Sequence, residues 1–222
     1  MNFYNTVWDG ITQSKTLNQE VAEIRHKLSD ATKTYDWLRT LEILSEYPQL
    51  ANSSRPDENS FYAPLHQAAY GGASADVVMQ MVKLGAWRTL QNVRGEKPID
   101  IANKLAHRHL ISALTPEYKH HISSSVLPEI QKHFHQVIRG RANQLVEEQA
   151  LRLPELEPLL ELEQPKMWFA VPGMYGGFSY WLETKKEEIK LITESWCRVV
   201  GGSGERHEIS AFGSCLVDEG FV

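Results

Sequence analysis

The chain has little cysteine: Cys197 and Cys215 are the two present in 222 residues. Two thiols in a chain of this length are no disulfide framework, which excludes the small cysteine-stapled folds and leaves the pair expected as reduced. An excess of positive charge is also lacking. Lysine and arginine number 23 against 28 aspartates and glutamates, a net charge of −5. Residues 1–150 carry 16 of each sign while residues 151–222 carry 7 basic and 12 acidic side chains, so the whole deficit lies in the last third. No basic footprint is left for a phosphate backbone, and nucleic acid drops out as an expected partner. No apolar run approaches the roughly 20 residues of a membrane helix. Met1 to Thr16 lack the basic start and apolar centre of a secretory signal. The expectation is a soluble, cytoplasmic protein with no membrane partner. What remains is an ordinary globular mix, 42% apolar and 23% charged. It suffices for a sizeable core in one large domain or two small ones.

The most informative feature present is a repeat. Ala63-Pro64-Leu65-His66-Gln67-Ala68-Ala69 recurs in degraded form as Lys97-Pro98-Ile99-Asp100-Ile101-Ala102-Asn103, at an offset of 34. Val77-Val78 and Met81 align with Leu110-Ile111 and Leu114 at an offset of 33, so one residue is inserted near Gly71-Gly72-Ala73-Ser74. Proline suits the first helical turn, where its missing N–H would have had no partner and its fixed φ already matches the helix. Leu65 and Ile99 then point into a stack, and Ala68, Ala69 and Ala102 are small where neighbouring helices approach. Gly85 is placed to end a second helix in a left-handed cap.

These segments resemble the ankyrin repeat, whose Thr-Pro-Leu-His core opens a helix pair of about 33 residues. The resemblance implies a helical stack with Arg88 to Glu96 as a projecting finger and His66 as the repeat's structural histidine. Ala63 and Lys97 replace the threonine and Asp100 the second histidine, which implies a less regular array. Tyr35 to Asn52 reads as the helical part of an earlier, divergent repeat, giving about two and a half units. Stacks need about three to bury a continuous core, so the ends require covers. Leu17, Val21, Ile24 and Leu28 form the stripe of an amphipathic helix expected as one cover. Residues 123–150 supply the other. There Val126, Leu127, Ile130, Phe134, Val137, Ile138, Leu145 and Val146 share a helical face, Ser124 or Ser125 is the cap, and a bend is expected near Gly140.

After a leucine-rich acidic connector, Leu151 to Glu163, the period changes to two. Strands are expected over Met167–Val171, Phe178–Glu183, Ile189–Val200 and Arg206–Ala211, with an added edge at Val217–Val222. A charged turn at Lys185–Glu188 and a glycine turn at Gly201–Gly204 join them. Together with Pro-Gly-Met-Tyr-Gly-Gly-Phe and Glu-Ser-Trp-Cys-Arg-Val-Val-Gly-Gly-Ser-Gly, the arrangement resembles a group of bacterial ankyrin-repeat proteins with a C-terminal helix and β extension. That resemblance carries no activity onto these residues. The expected fold is α+β: a short ankyrin-repeat stack over 1–115 with its N-terminal capping helix, a helical linker over 116–164, and a small antiparallel β domain over 165–222.

Three constellations invite chemistry. His107/His109, His120/His121 and His133/His135 lack the i, i+4 spacing of a helical chelate, so no metal and no cofactor are expected. Cys197 with His207 and Glu194 or Glu208 could form a nucleophilic set across paired strands. Alternation instead places Leu191, Thr193, Ser195, Cys197 and Val199 on one small buried face. Gly201 to Arg206 could cradle phosphate, but it leads into a strand rather than a helix, and a hairpin turn is the better reading. The expectation is therefore a non-enzymatic protein–protein interaction module with no assigned catalytic residue. Its partner surface would be Trp87, Arg88, Leu90, Asn92 and Arg94 with Tyr70 behind them. A second candidate surface lies on the C-terminal sheet: Trp181, Glu194, Trp196 and Arg198, with Tyr175 and Arg206 at its rim. The alternatives are a toxin-immunity-like inhibitor, or a small-ligand-binding or hydrolytic C-terminal domain on an ankyrin scaffold.

Overall fold

The computed structural model describes residues 6–185, 188–198 and 202–220. The fold is α+β, with seven α-helices and a six-stranded sheet among the described residues. The chain divides into two compact units: Ile11–Glu117, and Thr6–Gly10 together with the chain from Tyr118 onward. No helix among the described residues is long and apolar enough to cross a membrane.

The first unit is three helix pairs. They are α1 (Gln19–Lys33) with α2 (Trp37–Glu46), α3 (Pro64–Gly71) with α4 (Ala75–Lys83), and α5 (Pro98–Lys104) with the single-turn α6 (Ile111–Leu114). Side-chain oxygens cap three starts: Asn18 accepts from Val21 N–H at 2.8 Å, Asp36 from Arg39 N–H at 3.0 Å, and Ser74 from Val77 N–H at 3.3 Å. Such caps satisfy amides that have no partner within the helix. Pro64 and Pro98 open α3 and α5 as their pattern predicts, and these two helices pack side by side.

Each pair turns in the same way. One residue takes a left-handed conformation, Tyr35 (φ 61°), Gly72 (φ 63°) or Ala106 (φ 58°). The next amide then closes back onto an alanine carbonyl: Asp36 N to Ala31 O at 2.9 Å, Ala73 N to Ala68 O at 3.0 Å, and His107 N to Ala102 O at 2.9 Å. This is the six-to-one bond of a Schellman cap. The shared turn makes α1 the first helix of the first pair, where the sequence pattern suggested a separate cover. Leu28, Leu44, Leu65, Met81, Leu110 and Leu114 fill the space between helices and are at most 2% exposed.

The second unit is a sheet with one long helix against it. Its strands are β1 (Val7–Trp8), β2 (Lys166–Val171), β3 (Gly176–Lys185), β4 (Glu188–Cys197), β5 (Ser203–Ser210) and β6 (Gly213–Glu219), in spatial order one to six. The expected sheet was small and purely antiparallel. The observed one is mixed, because β1 pairs in parallel with β2, Val7 opposite Trp168 and Trp8 opposite Phe169. Trp8 secures this strand: it is 2% exposed, donates Nε1–H to the Arg152 carbonyl at 2.9 Å, and lies 5.1 Å beneath the Arg152 guanidinium. Gly10 permits the approach, since a Cβ there would lie 2.6 Å from the Phe169 ring and 2.7 Å from the Arg152 carbonyl oxygen.

Strand boundaries also differ from the pattern. The glycine turn is shorter than expected, because Ser203 and Gly204 already pair with Cys197 and Trp196. The last strand begins at Gly213 rather than Val217. Residues 186–187 of the charged turn, 199–201 and 221–222 lie outside the described residues. Helix α7 (Val126–Glu148) breaks its regular geometry at Ala142 (φ −143°, ψ 27°), two residues beyond the expected bend at Gly140. Its apolar stripe meets one sheet face, with the Phe134 ring 4.9 Å from Tyr180 and 6.4 Å from Phe178. Beside the kink, Arg141 donates to Glu205 Oε1 at 2.7 Å and to the Ser203 carbonyl at 3.0 Å.

Candidate functional site

The finger between the second and third helix pairs does not present the surface expected of it. Trp87, Arg88, Leu90 and Asn92 are all buried, at 4%, 5%, 2% and 5% exposure. Trp87, Arg88 and Asn92 each have a structural task. The Asn52 side chain accepts from Trp87 N–H at 2.8 Å and donates to the Gly85 carbonyl at 2.8 Å, tying the finger base to the preceding loop. Arg88 Nε donates to the Ala113 carbonyl at 2.8 Å, and its Nη2 reaches Glu117 at 3.2 Å. Asn92 Oδ1 accepts from Arg94 N–H at 2.8 Å and Glu96 N–H at 3.0 Å, while its Nδ2 donates to Glu96 Oε2 at 2.9 Å. An asparagine that bonds backbone two and four residues on is a turn-forming residue. Asn92 ahead of Gly95 carried that signal in the sequence. Arg94 and half-exposed Tyr70 remain at the surface.

The sheet unit gathers its aromatic and charged side chains differently. Cross-strand partners share a face. Helix α7 touches Phe178 and Tyr180, so the opposite face is the one carrying Trp168, Ser179, Trp181, Ile192, Glu194, Trp196, Arg206 and Glu208. The sequence pattern left open whether the helix covers Trp196. It covers the other face. Two clusters form on this outer side. In one, Trp168 and Trp196 stack with ring centroids 4.8 Å apart at 26°. They meet over Gly177, which pairs with Trp196 and where a Cβ would lie 2.9 Å from the Trp168 ring.

In the second cluster the Trp181 ring has two cations over it, Lys166 Nζ at 4.6 Å and Arg206 Cζ at 5.7 Å from its centroid. Its Nε1–H donates to Glu183 at 2.9 Å. Arg206 also pairs with Glu194 at 3.2 Å, its direct cross-strand partner. Lys190 donates to Glu208 at 3.0 Å, and that bond holds its ammonium above the ordinary lysine range. Trp181, Glu194 and Arg206 therefore come together as expected. Trp196 lies two same-face rows from Trp181, next to the Glu194–Arg206 row that also holds its stacking partner Trp168. Arg198 lies beyond the end of β4 and is exposed, and Tyr175 is 76% exposed in the β2–β3 loop. Sequence reasoning missed Lys166 and Trp168. Alternation along Lys166–Val171 could have found them, since Met167, Phe169 and Val171 take the buried side.

Three indoles on this face supply broad amphipathic surface, and the ions around them supply directional donors and acceptors. The nucleophilic set is not assembled. His207 pairs with Thr193 and Cys197 with Ser203, which leaves thiol and imidazole four residues apart along the strands, about 13 Å at the usual rise. Glu194 is on the opposite face. His207 is held below its ordinary pKa mainly by burial, opposed by Glu205 and assisted by Arg141. Among the described residues no group of three His, Cys, Asp or Glu is placed to hold a metal. Several histidines instead serve backbone carbonyls: His109 at Ala73 (3.0 Å), His120 at Leu162 (3.0 Å) and His135 at Pro154 (2.7 Å).

No protein-family model matches the chain, and no curated protein matches it.

Proposed function

We propose that the protein is a non-enzymatic, protein-binding module of the bacterial cytoplasm, built from divergent ankyrin repeats and a β-sheet unit, and that it recognises its partner through the outer face of that sheet. One observation carries this reading: Trp181 lies under both Lys166 and Arg206, beside the Trp168–Trp196 stack, on the side of the sheet away from α7. Tryptophan and arginine dominate the energetics of protein interfaces because they bury much area with little loss of rotamer freedom. A polar rim of Glu183, Glu194 and Glu208 fits such a surface. The repeat reading is supported by Pro64 and Pro98 at first helical positions and by the common turn after Ala31, Ala68 and Ala102. The burial of Trp87, Arg88, Leu90 and Asn92 favours the sheet over the finger as the contact surface.

The test is cross-linked capture from a bacterial host lysate, comparing wild type with Trp181→Ala and Arg94→Ala. The reading requires a specific protein whose capture falls at least tenfold with Trp181→Ala and is unchanged with Arg94→Ala. Equal capture by Trp181→Ala, with the melting transition intact, rejects it.

A further inference from the structure

Strand β6 is the free edge of the sheet: β5 lies on one side of it, and no described residue pairs with it on the other. The opposite edge is shielded over Trp168 and Phe169 by β1, but every residue of β6 from Ser214 to Glu219 is exposed. An edge strand offers a row of unpaired amides and carbonyls, and proteins blunt such rows with lysine, proline, bulges or covering elements. β6 holds neither lysine nor proline. Its bulge at Val217 and its acids Asp218 and Glu219 blunt the far end and leave residues 213–216 bare. Apolar side chains stand out beside this stretch: Phe212 is 96% exposed, and Leu216 and Val217 are each 46% exposed.

The ladder fixes which groups point outward. Gly220 N–H donates to the Gly204 carbonyl at 2.9 Å, and antiparallel bonding alternates from that pair. Arg206, Glu208 and Ser210 therefore bond to Asp218, Cys215 and Gly213, whereas Ser214 and Leu216 aim their amides and carbonyls away from β5. The Leu216 carbonyl receives the adjacent Cys215 thiol at 3.5 Å, and these backbone groups have no other partner among the described residues. The two outward residues flank Cys215, which makes the edge self-complementary. In an antiparallel pair of β6 strands centred on Cys215, Ser214 of each copy exchanges both bonds with Leu216 of the other. The charges agree with that arrangement. Acids 218 and 219 of one strand run past the uncharged residues 211–213 of the other, whereas parallel pairing would set Asp218 beside Asp218 and Glu219 beside Glu219.

We propose that β6 pairs antiparallel with β6 of a second copy about Cys215, making one continuous sheet with both tryptophan faces on the same side. The edge is separate from the tryptophan face, and neither reading depends on the other. Two such short edges bury less than the roughly 1,200 Å² at the low end of stable interfaces, so the dimer is weak and concentration-dependent. Sedimentation of the full chain in reducing buffer, over a wide concentration range, is expected to show a reversible monomer–dimer equilibrium. Cys215→Ser keeps it. Cys215→Lys sets two ammonium groups face to face at an exposed position, and weakens the dimer about fivefold or more with the melting temperature unchanged. Ser214→Pro removes an outward amide and no bond to β5, and has the same effect.

Thiol coupling then reports the register. With a small-molecule disulfide as oxidant, two Cys215 thiols give up two electrons and two protons and become one disulfide, while the oxidant is cleaved to two thiols. Facing residues of a non-hydrogen-bonded pair have Cα atoms about 4.5 Å apart, within bridging range. A Ser214→Cys, Cys215→Ser variant places its thiols two residues out of line, beyond the roughly 7 Å limit, and stays uncoupled. Cys197, common to both proteins, controls for other thiols. A chain that stays monomeric throughout leaves the edge to a strand of another protein and overturns the proposal. So does a dimer that Cys215→Lys and Ser214→Pro leave unchanged, or a thiol at position 214 that couples as readily as Cys215.

Discussion

His66 bridges its own helix start to Glu96, thirty residues along the chain: Nδ1 accepts from Ala63 N–H at 3.3 Å, and Nε2 lies 3.3 Å from the Glu96 carbonyl oxygen. An accepting Nδ1 places the ring proton on Nε2, which therefore donates to Glu96. Asp100 occupies the same place in the next pair and accepts from Lys97 N–H at 2.9 Å. A carboxylate has no proton for a second, outward bond, so at this position of the repeat it is His66 that reaches the next pair. Since His66 is fully buried, His66→Ala strands two polar backbone groups at about 1–3 kcal/mol each. Urea melts are expected to show a loss of about 2 kcal/mol or more. A loss below about 0.5 kcal/mol, the range of ordinary surface changes, would mean the bridge does not hold the unit together.

What was legible in the sequence was whatever local chemistry dictates. Pro64 and Pro98 fix a helical φ wherever they occur, and the stripe of α7 has one partner surface to seek, so both could be read without coordinates. Val7–Trp8 could not. Two residues have no periodicity, and their place in the sheet depends on Trp168 and Phe169, some 160 positions away. The finger failed for a related reason. Trp87 and Arg88 look like contact residues by type, but their positions are set by Asn52 and Ala113, each at least 25 residues distant. The sheet face was better read. Alternation put Glu194 and Trp196 on one side of their strand and Trp181 on a face of the strand before, while pairing register decided that Arg206 would lie opposite Glu194 and Trp196 would stack on Trp168.

Leu65 sits at the second position of α3, 1% exposed within the packed interior of the helix-pair unit. Leu65→Ala removes that packing and leaves a cavity whose lining relaxes only in part. The expected cost is about 2–5 kcal/mol in denaturant melts. Leu38, 75% exposed on α2, is the internal control. Leu38→Ala should stay within about 0.5 kcal/mol of wild type.

The sheet unit should lose stability in mild acid. His135, with Nε2 at 2.7 Å from the Pro154 carbonyl, is held below its ordinary pKa chiefly by burial. The carbonyl bond pulls the other way, and Arg139 adds to the depression. His207 is depressed by burial as well. In both cases the unfolded chain takes up a proton at about pH 6.5, before the folded protein does. Stability from these groups is thus complete above that pH and falls as pH drops towards their folded values. Melting curves from pH 7.5 to 5 are expected to move downward, and His135→Gln should flatten the slope. A midpoint that does not change with pH would show that neither ring is held neutral.

Arg206 allows folding and recognition to be separated. Its bond to Glu194 joins side chains that are 38% and 29% exposed, and such pairs contribute about 0.2–1 kcal/mol. Its place 5.7 Å from the Trp181 centroid adds a similar amount. Arg206→Glu should therefore lower stability by no more than about 2 kcal/mol. On the contact surface proposed above, a guanidinium is worth more than that to a partner, and binding should fall by a factor of about 100, or 2.8 kcal/mol. The exchange Arg206→Glu with Glu194→Arg restores the cross-strand attraction without restoring the surface, so the melt should recover and binding should not. Recovery of both would show that the face matters only through the strand pair, and would move the contact surface away from Trp181.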